Sequence, residues 1–249
     1  MQSSFYSFTP KVQITRVLGI IKMSLSENMT RTLWRAADAV CFDVDSTVCQ
    51  DEAIDELAKF AGKEKEVAEM TQIAMRGGMS FRDALAQRLE LIRPTGAMLQ
   101  EYLRSHPPHL TAGIKELISI LHNRQIPVYL VSGGFHAVIE PVAEELSIPM
   151  KNVFANRIKF YFDGTYAGFD ETQPTSNQDG KAQVVNYLKQ TYGYERLVMV
   201  GDGATDLAAC PPAEGFIGFG GNQVRESVKK EAAWFVTSFY ELIEELNRN

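Results

Sequence analysis

The sequence predicts an α/β fold, a doubly wound parallel sheet with an inserted helical cap. Three observations predict it. From residue 36 onward, short apolar runs alternate with segments of helical period. Acidic residues fall where those runs end, which is where open α/β sheets place their ligand crevice. Residues 52–104 break the alternation, because they contain helical patterns without a strand pattern. Strands that alternate with helices need right-handed crossovers, and these give a parallel sheet.

Composition limits the classes of function. The 249 residues are 45% apolar and 22% charged, as in a folded protein large enough for a core and a smaller domain. A net charge of -6 without a Lys/Arg stripe argues against nucleic-acid binding. No apolar run approaches the roughly 20 residues that span a bilayer, so we expect no membrane partner. Cys41, Cys49 and Cys210 are odd in number and lack a CxxC pair, which indicates a reducing compartment, and we expect the cytoplasm.

An N-terminal extension is predicted over residues 1–35. Residues 1–26 contain Lys11, Arg16 and Lys22 but no acid, a composition similar to that of a transit peptide. A loosely ordered extension is the plainer interpretation and is slightly favoured. An organelle is therefore the alternative to the cytoplasm.

Apolar periodicity predicts the main elements in chain order. The first strand lies in residues 39–48, and Asp43 and Asp45 must emerge at its end, because a buried strand does not carry ionised carboxylates in its middle. The other strand candidates are residues 127–131, 197–200, 216–219 and 234–236. The helix candidates outside the insertion are residues 111–122 (with Thr111 as N-cap), 137–146, 181–192 and 238–247.

A hairpin is predicted in residues 157–169, between the strand candidates at 127–131 and 197–200. Residues 157–162 and 165–169 alternate around Asp163-Gly164, a dipeptide typical of type I′ turns. We expect this hairpin to extend the sheet or its rim.

Residues 52–104 contain two amphipathic stripes. The first comprises Ile54, Leu57, Ala58 and Ala61, and the second comprises Phe81, Leu85, Leu89 and Ile92. Ser80 and Asp83 form a capping pattern at the start of the second stripe, and Arg76-Gly77-Gly78 gives the chain a point of flexure between two helices. A cap over the sheet edge would exclude water and select the substrate.

Four signals converge on that edge, and each has a plainer structural reading. The Asp43-x-Asp45 pair also occurs in structural loops and in the metal clamps of nucleotide-sugar transferases. Ser132-Gly133-Gly134 presents N–H groups and a hydroxyl, as an anion site requires, but fits a tight turn equally well. Lys181 at a helix start is more often a solvated surface residue. Gly201-Asp202-Gly203-Ala204-Thr205-Asp206 adds two acids, of which Asp206 also suits an N-cap. The joint order is far more specific than any one signal.

The joint pattern resembles the haloacid dehalogenase-like (HAD) phosphotransferase superfamily, and within it the phosphoserine phosphatase family. The stretches that carry the resemblance are Cys41-Phe-Asp-Val-Asp-Ser-Thr-Val48, Pro107-Pro-His-Leu-Thr111, Val131-Ser-Gly-Gly-Phe135, Asn152-Val-Phe-Ala-Asn156, Ala167-Gly-Phe-Asp-Glu-Thr-Gln-Pro174 and Gly201-Asp-Gly-Ala-Thr-Asp206. They cover essentially everything after residue 36. The resemblance implies a HAD-like Rossmannoid core of residues 36–51 and 105–249, and a helical cap of residues 52–104.

The resemblance also implies the chemistry. Asp43 is the expected nucleophile, and Asp45 the acid that protonates the leaving oxygen and later deprotonates water. Mg²⁺ is the expected cofactor, held by the Asp43 carboxylate, the Asp45 backbone carbonyl and the Asp202 carboxylate, with Asp206 behind these ligands. Ser132 and Lys181 would hold the phosphoryl oxygens.

The implied substrate is O-phospho-L-serine, and the implied role is the last step of serine biosynthesis. Glu52 would take its ammonium and Arg88 its carboxylate, although an arginine beside an apolar stripe is by itself more often a snorkelling side chain. Further substrate contacts are expected from Met75, Gly133, Gly134 and Thr205. Arg76 stands where the family pattern has glycine, and a homodimer is an expectation from the family alone.

Two rival functions remain open at this level. A hydrolase of sugar phosphates or nucleotides would share the same core residues. A receiver-type signalling module would also hold an aspartyl phosphate, but it needs neither the acid/base Asp45 nor a cap. A catalytically inactive binding protein is less favoured, because every expected catalytic residue type is present.

Overall fold

The computed structural model describes residues 26–75 and 78–248 and contains a six-stranded parallel sheet. The strands are β1 (Ala39–Phe42), β2 (Val128–Phe135), β3 (Val153–Asn156), β4 (Ile158–Phe160), β5 (Tyr166–Phe169), β6 (Leu197–Gly201), β7 (Gly215–Phe219) and β8 (Trp234–Val236). The sheet order is β3-β2-β1-β6-β7-β8, with every pairing parallel. The predicted doubly wound α/β fold is confirmed, but β3 was not among the predicted strands.

Helices cover both faces of the sheet. They are α1 (Glu27–Arg35), α2 (Ala53–Phe60), α3 (Glu64–Met75), α4 (Phe81–Ile92), α5 (Gly96–Ser105), α6 (Ile114–Asn123), α7 (His136–Glu145), α8 (Gly180–Tyr192), α9 (Ala204–Leu207), α10 (Glu226–Glu231) and α11 (Phe239–Leu246). Helices α1, α6, α7 and α11 contribute to the core on one face, and α8 and α10 to the core on the other. No helix in the described ranges is both long and apolar enough to cross a membrane.

Strand β1 is apolar at every position because both of its faces are buried. Val40 and Phe42 pack into one core, whereas Ala39 and Cys41 pack into the other. The sheet hydrogen bonding ends at Asp43, whose N–H donates to the Val200 carbonyl at 2.9 Å. The first carboxylate therefore appears where the core ends and the crevice begins.

The last part of the predicted N-terminal extension, residues 1–35, forms a helix rather than a loosely ordered segment. Residues Glu27–Arg35 form α1, which begins at the N-cap Ser26 and packs against β7 and α11. Trp34 is fully buried, and its indole N–H donates to the Leu242 carbonyl at 3.0 Å. The helix escaped prediction because it carries few apolar residues. The transit-peptide interpretation concerns residues 1–26, nearly all of which lie outside the described residues.

Helices α2 to α5 form the segment inserted between β1 and α6, and they share a third hydrophobic cluster. Both predicted stripes contribute to this cluster. The predicted capping pattern is confirmed, since the Ser80 hydroxyl oxygen accepts a hydrogen bond from the Asp83 N–H at 3.1 Å. The flexure predicted at Arg76-Gly77-Gly78 falls mainly on residues outside the described ranges.

The predicted hairpin forms, but its sheet and its turn differ from the prediction. Strands β4 and β5 pair antiparallel in a separate two-stranded sheet that packs on α4, rather than extending the main sheet. Gly164 has a positive φ of 82°, but Asp163 does not. A type I′ turn needs a positive φ at both central residues, so the turn is of another type.

The predicted N-cap of α6 is also wrong. Gly113, with φ 85°, occupies that position. The Thr111 hydroxyl instead donates to the Thr47 carbonyl at 2.7 Å, which ties the start of this segment to the loop after β1.

Replacing Phe239 with alanine is expected to lower the free energy of unfolding by about 3–5 kcal/mol. Its buried ring stacks on Phe219, with 4.3 Å between centroids, and meets Phe42 edge to face at 6.1 Å. Denaturant unfolding followed by circular dichroism measures the loss. Tyr240→Ala is the matched control, because Tyr240 is 47% exposed and should change stability by no more than about 0.5 kcal/mol. Similar losses in the two variants would contradict this account of the core.

Candidate active site

Asp43 directly follows the carboxyl end of the central strand β1 and is buried. Its Oδ1 accepts a hydrogen bond from the Val44 N–H at 2.7 Å and lies 2.8 Å from the Lys181 Nζ. One carboxylate oxygen is thus fixed by the backbone and by a cation. Within the described residues, no hydrogen bond holds Oδ2, so this oxygen is available for chemistry.

The loop after Asp43 turns the chain back on itself. The Cys49 N–H donates to the Val44 carbonyl at 2.8 Å, and Ser46 adopts the left-handed region at φ 55°. The Asn222 side-chain amide donates to the Ser46 carbonyl at 3.1 Å and to the Thr111 hydroxyl at 2.7 Å. These contacts fix the loop against the core and therefore fix the direction of Asp45.

Asp45 lies between the loop and the Ser132-Gly133-Gly134 segment. Its Oδ1 accepts a hydrogen bond from the Ala53 N–H at 3.0 Å. A Cβ on Gly134 would stand 2.8 Å from its Oδ2, so glycine is needed for this close approach. Burial raises the pKa of Asp45 well above its ordinary value, and the charges of Glu52 and Asp43 raise it further. A raised pKa suits a group that must both give and take a proton.

Lys181 is a buried cation rather than a solvated surface residue. Its Nζ lies 2.6 Å from Asp206 Oδ1 and 2.8 Å from Asp43 Oδ1, in the first turn of α8. Burial alone would lower the pKa of Lys181, but the charges of Asp206 and Asp43 raise it above the ordinary value. The ammonium is therefore charged at neutral pH.

The acids after β6 complete a group suited to a hard metal ion. Carboxylate oxygens of Asp43, Asp202 and Asp206 all lie within 4.8 Å of one another, and all three residues are buried. Burial and the charge of Asp43 raise the pKa of Asp202 to about 6. Both carboxylate oxygens of Asp206 already accept hydrogen bonds, one from Lys181 Nζ and the other from the Gly203 N–H at 3.0 Å. A donor set made only of oxygen atoms suits Mg²⁺. Because both oxygens of Asp206 are already engaged, Asp206 is better suited to support the ligands than to bind the metal ion itself.

Ser132-Gly133-Gly134 lies in the last part of β2, where pairing with β3 becomes irregular. Ser132 is fully buried, and its hydroxyl oxygen accepts a hydrogen bond from the Gly134 N–H at 2.9 Å. The Asn156 amide donates to the Gly133 carbonyl at 2.8 Å and so ties β3 to this segment. Gly133 and Gly134 line the cavity over Asp43.

A cavity of about 670 Å³ opens above these groups, between the sheet edge and the inserted helices. It brings together most of the predicted site residues, namely Asp43, Asp45, Glu52, Arg88, Gly133, Gly134, Lys181, Asp202 and Thr205. Asp206 and Ser132 are not part of its wall. Met75 ends α3, and its side chain lies outside the described part of the chain.

Arg88 reaches the cavity from α4 and is not a snorkelling surface residue. Its Nε donates to the Ala84 carbonyl at 3.2 Å, which is the one hydrogen bond of its guanidinium within the described residues. Burial lowers the pKa of Arg88, and the charges of Asp55, Glu52 and Asp45 oppose that shift. Arginine stays charged regardless, so the cavity wall holds a cation without a salt-bridge partner in the described chain.

Arg225 is a site residue that the sequence analysis missed. Its Nε donates to Asp202 Oδ2 at 2.7 Å, and its Nη2 donates to Glu52 Oε1 at 3.0 Å. It follows β7, whose carboxyl end lies at the same sheet edge as those of β1 and β6. The signal that could have found it was a basic residue in the loop after a predicted strand.

Comparisons with known proteins agree with this geometry. Residues 37–213 match the family model of the haloacid dehalogenase-like hydrolases. Phosphoserine phosphatase of Rattus norvegicus is 56% identical over 222 residues, which are 89% of this chain and 99% of that protein. A substrate-bound phosphoserine phosphatase complex superimposes with a TM-score of 0.73 at 27% identity, covering 85% of this chain and 99% of the other.

A longer protein shares the same unit. The structure of DsGPDH of Dunaliella salina superimposes with a TM-score of 0.77 at 37% identity over 88% of this chain. This chain spans only 37% of that protein, so the likeness concerns one part of it. The match to the Rattus norvegicus protein combines high identity with almost complete coverage of both chains. The chain therefore belongs to the phosphoserine phosphatase family of the haloacid dehalogenase-like hydrolases.

Proposed function

We propose that the protein is a Mg²⁺-dependent phosphomonoesterase that hydrolyses O-phospho-L-serine to L-serine and phosphate through an aspartyl-phosphate intermediate. We also propose that it serves the last step of serine biosynthesis. The observation that carries the proposal is one cavity that holds Asp43 and Lys181 on its floor and Arg88 and Glu52 on its wall. A cytoplasmic location and a homodimer stay predictions based on the sequence.

The substrate assignment rests on charge complementarity. Free phosphoserine carries a carboxylate and an ammonium besides its phosphate. Arg88 offers a cation without a carboxylate partner in the described residues, and a guanidinium binds a carboxylate through two parallel hydrogen bonds. Glu52 faces the same cavity and offers a carboxylate for the ammonium. A sugar phosphate or a nucleotide would leave the Arg88 guanidinium without a carboxylate partner.

The chain's own side chains account for the two displacements. The Asp43 carboxylate attacks phosphorus, and the bond between phosphorus and the serine oxygen breaks as Asp45 delivers a proton to that oxygen. Asp45, now ionised, takes a proton from water, and the resulting hydroxide attacks phosphorus and releases Asp43. The net reaction consumes one water and returns both aspartates to their starting states.

Charge on the phosphoryl group must be offset while these bonds change. Lys181 is a fixed cation 2.8 Å from Asp43 Oδ1, and the backbone of Gly133 and Gly134 borders the same space. Mg²⁺ would be held by the Asp43 carboxylate, the Asp45 carbonyl and the Asp202 carboxylate. When bound, it supplies a positive charge that reduces repulsion between the nucleophile and the phosphate.

Phosphate release from a panel of esters tests the function directly. O-Phospho-L-serine is expected to react far faster than sugar phosphates or nucleotides when Mg²⁺ is present, and EDTA is expected to abolish release. Readdition of Mg²⁺ after EDTA is the control for irreversible damage. A preference for sugar phosphates would overturn the assignment of Arg88 and Glu52, and activity that survives EDTA would overturn the metal assignment.

Asp43→Asn is expected to reduce turnover by at least about 1,000-fold, because an amide is a poor nucleophile toward phosphorus. The fold should persist, since the amide can still accept the Val44 N–H. Asp51→Asn is the matched control, because Asp51 lies in the same segment with its side chain 49% exposed. Circular dichroism checks the fold. Substantial residual turnover in Asp43→Asn would mean that another group attacks phosphorus.

Arg88→Ala is expected to lower kcat/KM for phosphoserine by about 30-fold or more, the cost of removing one partner of a largely desolvated ion pair. The same variant should act on a generic aryl phosphate almost as well as the unmodified protein, because that ester has no carboxylate. Gln87→Ala, the exposed neighbour on α4, is the control. Equal losses on both esters would exclude the recognition role of Arg88.

A further inference from the structure

Arg225 joins two carboxylates that the proposed function uses for different purposes. Its Nε bonds Asp202, a predicted metal ligand, and its Nη2 bonds Glu52, the predicted acceptor of the substrate ammonium. The side chain of Asp202 is only 3% exposed, and the side chains of Glu52 and Arg225 are 34% and 28% exposed. The guanidinium thus spans the gap between the metal side and the substrate side of the cavity.

Arg225 bonds one oxygen of each carboxylate. Arg225 bonds Asp202 at Oδ2, while Oδ1 has a single long contact of 3.4 Å from the Thr47 hydroxyl. On Glu52, the Arg225 guanidinium and the Ser46 hydroxyl both donate to Oε1, the latter at 2.8 Å. Within the described residues, Oε2 of Glu52 has no hydrogen-bond partner. One oxygen of each acid therefore remains available.

The residue preferences of helix N-caps do not explain why Glu52 and Arg225 occupy their positions. Glu52 and Arg225 each occupy the N-cap position of a helix, α2 and α10 respectively, and neither side chain caps its helix. Helix N-caps favour small polar residues such as serine or aspartate. Glu52 and Arg225 bond each other instead of capping their helices. A departure from local preference of this kind is typical of residues placed for function.

We propose that Arg225 is a positioning residue that orients Asp202 toward the metal ion and Glu52 toward the substrate ammonium at the same time. The assignment of the ammonium to Glu52 rests on the proposed function, whereas the orientation of Asp202 needs only the metal site. A planar guanidinium can hold two acids through two different nitrogens in a fixed geometry, but a lysine ammonium is a single point charge on a flexible stem. Loss of Arg225 removes both orientations together.

Arg225→Met tests this role, because methionine keeps much of the stem and removes the donors. Binding of Mg²⁺ alone, measured by titration calorimetry without substrate, is expected to weaken by about 10- to 100-fold, as when a group that orients a metal ligand is lost. At saturating Mg²⁺, KM for phosphoserine should rise by about tenfold, the effect of one lost hydrogen bond to a charged group. KM for 3-phosphooxypropanoate, which is phosphoserine without its amine, should change much less.

Two further variants separate positioning from a general structural effect. Lys229→Met removes a nearby exposed cation on α10 that contacts neither acid, and it should leave Mg²⁺ affinity and both KM values unchanged. Arg225→Lys keeps the charge, but one ammonium cannot hold both acids, so at least one of the two affinities should stay weakened. Unchanged Mg²⁺ affinity in Arg225→Met, with equal losses on the two esters, would overturn the proposal.

The two readouts also distinguish this inference from the proposed function. If the unmodified protein does not prefer phosphoserine over 3-phosphooxypropanoate, the role of Glu52 in substrate recognition fails. The calorimetric comparison of Arg225→Met with the unmodified protein still decides whether Arg225 orients Asp202, because no substrate is present in that measurement.

Discussion

The buried ammonium of Lys181 is the interaction on which the active-site edge depends. It forms ion pairs with both Asp43 and Asp206, and so connects the start of α8 to the residue that follows β1 and to α9. Without the ammonium, two buried carboxylates would face each other in a medium of low dielectric constant, at a cost of about 3–5 kcal/mol. The second oxygen of Asp206 is fixed by the Gly203 N–H, so the position of Lys181 is itself set by the turn after β6. A single cation thus connects the turn after β6 to Asp43.

Much of this arrangement could be predicted because parallel strands bury both of their faces. That constraint makes β1 and β6 apolar throughout and places the first acids of each at the same edge. The elements that escaped prediction lack such a constraint. Strand β3 is a four-residue edge strand, and α1 is a polar helix whose main anchor is Trp34. Thr111 failed as a predicted cap because its hydroxyl bonds a carbonyl 64 residues away in sequence.

Within the site, too, residues at the ends of buried strands and helices could be predicted, whereas residues brought in from distant loops could not. The predicted positions of Asp43, Asp45, Lys181 and Asp202 follow from strand and helix ends, and the structure brings all four to one cavity. Arg225 and Asn222 belong to a loop after β7, more than 170 residues from Glu52 and Ser46 in the chain. Only the folded sheet places these groups together, so the local sequence could indicate a basic residue after β7 but not its contact with Glu52. Ser132 lies in the predicted segment, and its hydroxyl oxygen accepts the Gly134 N–H, a local contact that the Ser-Gly-Gly pattern does not specify.

Two parts of the molecule line the cavity, and the proposed selectivity depends on both of them. The sheet edge supplies the reacting groups, and α4 supplies Arg88 from the opposite wall. At the start of α4, Phe81 lies close to Gly133, and the Arg82 guanidinium donates to the Ser176 hydroxyl at 3.0 Å. These contacts hold the inserted helices against the core beside the cavity that contains Asp43. In the proposed function, the phosphate and the carboxylate of one substrate would be bound by different segments, so a ligand that lacks either group would engage only one wall of the cavity.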